Sequence, residues 1–207
     1  MTTRRSILLQ LLALALAIGM SLLAWPFLHG AVPIHWGISG QPDGYGSPAL
    51  SLLLTPLLIA GLIGGTVLIA RGKAAPGAGL LAAMALVAGW FVIEHGLMLS
   101  GGLFRGFSPV RPLLALVFGL LVGLGPIMAR IEPNPWCGIR TPWTMGSRRV
   151  WKETHRTTAR LWLIGGILGS ALTMFGTPLL LVIGYLILLG TSPIVISYLV
   201  WRKLGRP

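Results

Sequence analysis

The chain is 207 residues long, with 55% hydrophobic and only 10% charged side chains and a mean hydropathy of +0.84. A soluble domain carries roughly 25% charged residues, so the composition excludes an ordinary cytoplasmic enzyme, and it is too apolar for a disordered chain. The net charge of +12 comes from 16 Lys and Arg against four acids; with no recognition module beside it, that excess argues for basic membrane-protein loops and not for direct nucleic-acid binding.

Apolar runs of about 20 residues cross about 30 Å of hydrocarbon. Charges, prolines and glycines bound six of them, at 6–28, 50–70, 76–99, 111–130, 158–175 and 178–201. The expected fold is all-α, a polytopic membrane protein of six transmembrane helices. The first run follows Arg4 and Arg5 but is long for a signal peptide and has no A-x-A-like site after it, so it reads as a retained helix. The last two are divided only by Gly176, Thr177 and Pro178.

Arg4, Arg5, Arg71, Lys73, Arg130, Arg140, Arg148, Arg149, Lys152, Arg156, Arg160, Arg202, Lys203 and Arg206 then share one side. Only Arg105 and Arg111 of the 16 cations lie opposite. The positive-inside rule makes the crowded side cytoplasmic and places both termini there. Residues 1–75 form an N-terminal membrane region and 76–207 a second one. Gly61/Gly65, Gly119/Gly123 and Gly165/Gly169 have the GxxxG spacing that lets helices approach closely in lipid.

The loop at 29–49 faces outside. Pro42-Asp43-Gly44 is its turn signal, and Trp36 and Tyr45 suit the membrane interface. His35 and Asp43 in this loop, with Glu94 and His95 near the outer end of the third helix, are the candidate metal ligands. An acid inside a span is a functional candidate, and imidazole and carboxylate suit a divalent metal such as zinc. The competing reading is structural, with Glu94 paired to Arg105 or Arg111. His-Glu-x-x-His is absent.

The loop at 131–157 faces inside. Pro133, Pro135 and Pro142 keep its first half extended or turned. Trp136 and Trp143 bracket Arg140 and can stack on its guanidinium or anchor it at the interface. Ser147 is the expected N-cap of a helix. At roughly 100° per residue, Arg148, Arg149, Lys152, Arg156 and Arg160 fall on one arc, opposite Val150, Trp151, Thr154, Thr158, Leu161 and Trp162. That pattern describes a helix on a membrane surface with anionic lipid, or an acidic cytosolic protein, as its partner. Cys137, the single cysteine, has no partner for a disulfide or for structural zinc and reads as a spectator.

The run Asn134-Pro135-Trp136-Cys137-Gly138-Ile139-Arg140-Thr141-Pro142-Trp143-Thr144, followed by Trp151 and Thr154-His155-Arg156, resembles the signature of the SdpI family of bacterial immunity and signalling membrane proteins. The first loop, from Pro33, His35 and Trp36 to Gly40, Asp43 and Gly44, is similar to a domain of unknown function often fused to that family. The resemblance implies a multi-pass protein of the bacterial plasma membrane. It also implies a non-enzymatic role in resistance to a secreted toxic peptide, with a cytosolic regulator as a further partner. The alternatives are a metal-dependent membrane enzyme built on His35, Asp43, Glu94 and His95, and a small transporter, which the scarcity of mid-membrane ionisable groups disfavours.

Overall fold

The computed structural model describes residues 1–72 and 76–204. Six long helices run back and forth: α1 (Thr3–Ala24), α2 (Pro48–Arg71), α3 (Ala78–Leu103), α4 (Val110–Met128), α6 (Arg148–Met174) and α7 (Leu179–Leu204). A short helix, α5 (Pro142–Gly146), precedes α6, and an antiparallel hairpin, β1 (Val32–Trp36) with β2 (Pro42–Gly46), joins α1 to α2. Of the cations counted above, Lys73 and Arg206 lie outside the described residues.

Among the described residues five helices, all the long ones except α6, are long and apolar enough to cross a membrane. The fold is thus all-α and polytopic, with one small hairpin. The fifth expected span, 158–175, does not stand alone. It is the second half of the 27-residue α6, whose first half carries Arg148, Arg149, Lys152, Arg156 and Arg160. A helix of that length reaches about 40 Å, so one rod passes from the charged loop into the apolar bundle.

Helices α1, α2 and α3 pack on one another, as do α4, α6 and α7; α3 and α4 join the two groups. Prolines inside spans leave carbonyls without their helical donor, and apolar surroundings require another one. Pro56 frees the Leu52 carbonyl, which accepts from the Ser21 hydroxyl at 2.7 Å. Pro193 frees that of Leu189, which accepts from Trp162 Nε1 at 3.2 Å and from the Ser192 hydroxyl at 2.7 Å. At the hairpin end, Arg111 closes α6: its guanidinium donates to the carbonyls of Thr173 at 2.9 Å and Thr177 at 3.0 Å. A cation at a helix C-terminus complements the exposed carbonyl charge.

The turn of the hairpin is not where Pro42-Asp43-Gly44 suggested. Those residues belong to β2, and the chain reverses over 37–41, where Gly40 adopts φ +78°. Gly37 N–H donates to the Gln41 carbonyl and Gly40 N–H to that of Gly37, each at 2.9 Å. Asp43 is drawn into the strand because its carboxylate reaches across to His35. Trp36 lies against Gly101 at the end of α3, where a Cβ would come within 2.5 Å of the indole, and not freely at the interface.

Candidate functional site

Every turn of the 131–147 loop is tied to something. Asn134 uses its whole amide: Oδ1 accepts from the backbone N–H of Trp136 and Cys137, both at 2.8 Å, and Nδ2 donates to the carbonyls of Glu132 at 2.9 Å and Cys137 at 3.0 Å. An Asx side chain replaces the missing secondary structure in this way. Thr141 and Thr144 cap α5 reciprocally, and Pro142 takes its first turn. The Thr144 hydroxyl also donates to the Ile139 carbonyl at 2.6 Å. Trp143 packs against Tyr198 and Trp201 on α7, at 5.3 and 6.0 Å between ring centroids.

The loop clamps onto the first half of α6 through Trp151 and His155, which stack at 4.2 Å and are almost fully buried. Trp151 Nε1 donates to the Ile131 carbonyl at 2.9 Å. His155 lies 2.8 Å from the Trp151 carbonyl through Nδ1 and accepts from the Ile139 N–H through Nε2 at 2.9 Å. A carbonyl cannot donate, so Nδ1 carries the proton and the ring is neutral. Gly138, at φ +119°, lies flat on this pair, with no room for a Cβ beside His155 Nε2 and Trp151 Cη2.

Burial pushes the His155 pKa below its ordinary 6.5, against a smaller rise from the Trp151 carbonyl. Because the folded value is the lower one, the unfolded chain binds the extra proton, and stability falls as pH drops. The contribution is complete above about pH 6.5 and is lost as pH falls through the folded value. The melting temperature of the detergent-solubilised protein is expected to decline from pH 7.5 to 5. His155→Gln, which keeps an acceptor near Nε2, should melt lower at neutral pH but with a flatter profile. A parallel pair of profiles would remove His155 from the effect. Burial also raises the Cys137 thiol pKa, against lowering by Asn134 and Arg140, which leaves it a poor nucleophile.

The apolar arc of α6 therefore meets its own loop and not lipid: Val150, Trp151, Thr154 and Thr158 are buried in the protein, Trp162 is half-buried and Leu161 is exposed. The basic helix runs directly into the fifth expected span as one α6, and its first half is supported by its own loop. Its cations Arg148, Arg149, Lys152, Arg156 and Arg160 are all exposed. Arg148 pairs with Glu132 at 3.1 Å, both largely in solvent, a contact worth at most about 1 kcal/mol. Arg140 is exposed, and Trp143, turned toward α7, does not stack on it; Arg202 lies 5.9 Å over the Tyr198 ring instead. Of the signature side chains, Trp136 and Arg140 are thus left on the surface.

The other expected constellation divides into separate pairings. His35 Nδ1 and Asp43 Oδ1 meet at 2.5 Å across the hairpin, both exposed. Glu94 accepts from the Thr55 hydroxyl at 3.1 Å. His95, buried, faces Ser21 Oγ at 2.9 Å, and the Ser21 hydroxyl also reaches the Leu52 carbonyl at 2.7 Å. Among the described residues no group of three or more His, Cys, Asp or Glu can hold a metal ion, so the expected zinc-type site is withdrawn. The suggested pairing of Glu94 with Arg105 or Arg111 is not formed either, because Arg111 is committed to the end of α6.

These features define a multi-pass bacterial membrane protein with a hydrogen-bonded polar loop clamped to the start of a long basic helix. Residues 130–197 match the SdpI/YfhL protein family, and residues 12–60 match the Domain of unknown function (DUF1648). The SdpI/YfhL segment thus spans the inner loop, α6 and most of α7, and the DUF1648 region lies ahead of it on α1, the hairpin and the first half of α2. Immunity protein SdpI of Bacillus subtilis (strain 168) is 32% identical over 97 residues, which cover 44% of this chain and 47% of that protein. The chain thus matches about half the length of this curated relative. No solved structure matches it.

Proposed function

We propose that this protein is a non-enzymatic immunity protein of the bacterial cell membrane, protecting the cell from a secreted toxic peptide and relaying the peptide's presence to a cytosolic regulator. The observation that carries the reading is the match to Immunity protein SdpI together with the family segment at 130–197. The site geometry supports it. Signature groups able to do chemistry, His155, Thr144 and Asn134, are bound to the fold, whereas Trp136, Arg140 and the α6 cations are left for partners.

In this reading the hairpin is extracytoplasmic and the clamped loop cytoplasmic, where Arg148, Arg149, Lys152, Arg156 and Arg160 attract anionic lipid by roughly 1 kcal/mol per cation near the surface. Single cysteines at Ser39 and Met145, both exposed, in a Cys137→Ser background test the orientation. An impermeant thiol reagent on intact cells is expected to label Ser39→Cys and spare Met145→Cys; the reverse pattern would invert the protein.

The functional test is survival of a sensitive bacterium expressing the protein and challenged with the killing peptide. Lipid attraction needs only charge, whereas a forked contact from Arg140 to a protein partner needs the guanidinium. Arg140→Lys is therefore expected to impair protection, or reporter output, at unchanged membrane abundance, and Arg149→Lys to be nearly silent. Equal tolerance would reduce Arg140 to a lipid anchor, and no protection by the wild type would remove the immunity role.

A further inference from the structure

We propose that a small pocket beneath the hairpin is a receptor for a primary ammonium group at the end of an alkyl chain, the chemistry of a lysine side chain on a secreted peptide. The inference deepens the immunity reading and rests on it for the source of the ammonium and for the outward orientation of this face. The cavity holds about 110 Å³ and is lined by Ile34 of β1, Leu50, Ser51, Leu54 and Thr55 of α2, and Glu94 and Met98 of α3. Its depth follows from the chain. Helix α2 descends from the hairpin end, so Thr55 lies one turn below Ser51, and α3 ascends toward it, so Glu94 lies one turn below Met98. Glu94 is nine residues, or about 13 Å, from the end of α3 at Leu103. The pocket thus has an aliphatic mouth and a polar floor of Thr55 and Glu94.

The floor is short of a cation. The two ion pairs among the described residues are His35–Asp43 and Arg148–Glu132, and neither includes Glu94. Its hydrogen-bond partner is the neutral hydroxyl of Thr55, on Oε2. An ionised acid at membrane depth needs a positive partner; Arg111 on this face is spent on backbone carbonyls, and Arg105 forms no ion pair with Glu94. The oxygen set is specific about what would serve. A primary ammonium offers three N–H donors, and the pocket presents acceptors of three residues: the Glu94 carboxylate, the Thr55 hydroxyl oxygen, whose proton is already given to Glu94, and the Ser51 hydroxyl. A guanidinium is wide and planar and favours two carboxylate oxygens at once, one of which Thr55 already holds. Leu50, Leu54, Met98 and Ile34 would cover the methylene stem, as apolar surface does for any lysine whose charged end finds a polar partner.

The test uses the purified full chain in zwitterionic nanodiscs, with n-butylammonium chloride as the probe and saturable stabilisation against heat as the readout. The wild type is expected to be stabilised by n-butylammonium and much less by n-butylguanidinium or sodium chloride at equal ionic strength. Glu94→Gln should weaken the apparent affinity about tenfold or more, as loss of a charge-assisted bond does. Ser51→Ala, half-buried at the mouth and a small change of volume, should weaken it by roughly threefold with a nearly unchanged melting temperature in the absence of probe, so a folding defect in the first variant does not decide the result. No saturable shift means that Glu94 is kept as the neutral acid and overturns the proposal. An equal shift in Glu94→Gln, or one of the same size from sodium, overturns it as well. Neither cells nor toxin enter the measurement. Binding without protection would sink the immunity reading and leave the pocket standing, while protection by Glu94→Gln equal to the wild type would separate the two in the other direction.

Discussion

Replacing Gly138 with alanine should lower the melting temperature of the solubilised protein by roughly 6–12 °C, the shift that about 3 kcal/mol produces in a chain of this size. Two costs combine. Gly138 sits at φ +119°, a conformation that a residue with a Cβ adopts only under strain, at about 1–3 kcal/mol. The added methyl would also stand 2.8 Å from both His155 Nε2 and Trp151 Cη2. Those atoms belong to a buried stack whose polar ends are bonded to Ile131, Ile139 and the Trp151 carbonyl, so neither ring can swing aside without breaking a hydrogen bond. Overpacking of that kind costs typically about 1–3 kcal/mol. Gly146→Ala, eight residues further along where nothing lies within 4 Å of the new Cβ, is the control and should leave the melting temperature nearly unchanged. If the two variants melt together, the loop is not clamped as described.

The contrast between those two glycines shows what a linear reading could see. Proline spacing and the Ser147 cap were legible because both act within a few residues, and the exposed arc of α6 cations follows from helical period alone. Long apolar runs gave the helices for the same reason. What escaped was everything decided by a partner distant in sequence. Pro42-Asp43-Gly44 carries turn chemistry, yet the His35–Asp43 contact and Gly40 at φ +78° put the turn five residues earlier and make a strand of it. The apolar arc of α6 has the composition of a lipid-facing surface, and no periodicity reveals that Ile131 and Ile139 already cover it. Glu94 and His95 are neighbours in sequence, but adjacent residues on a helix point about 100° apart. One therefore meets Thr55 on α2 and the other Ser21 on α1, and a shared metal site is lost to helical geometry.

The glycine-spacing motifs make the same point quantitatively and give the second large effect. Gly61 and Gly119 have nothing within 4 Å of an added Cβ, and Gly65 has only the end of Met84 at 3.9 Å. The α6 motif is different: a Cβ on Gly165 would meet Leu189, and one on Gly169 would fall 2.3 Å from the Phe118 ring. The tightest backbone approach, however, belongs to Gly166, which the spacing does not single out. There a Cβ would lie 2.8 Å from the Phe118 carbonyl oxygen and 2.7 Å from Val122 Cγ2. A side chain can rotate away, but a carbonyl in the middle of α4 moves only with its helix. Gly166→Ala should therefore force α4 and α6 apart along their contact, and an overpacked core of this kind loses about 2–3 kcal/mol. Gly61→Ala removes no contact and replaces the poorest ordinary helix former with the best, a gain of up to about 1 kcal/mol. Thermal melts of the two variants in one detergent are expected to shift in opposite directions. Should Gly166→Ala melt like the wild type, α4 and α6 are not held at backbone contact, and the rod that carries the basic half of α6 into the bundle is packed more loosely than its glycines indicate.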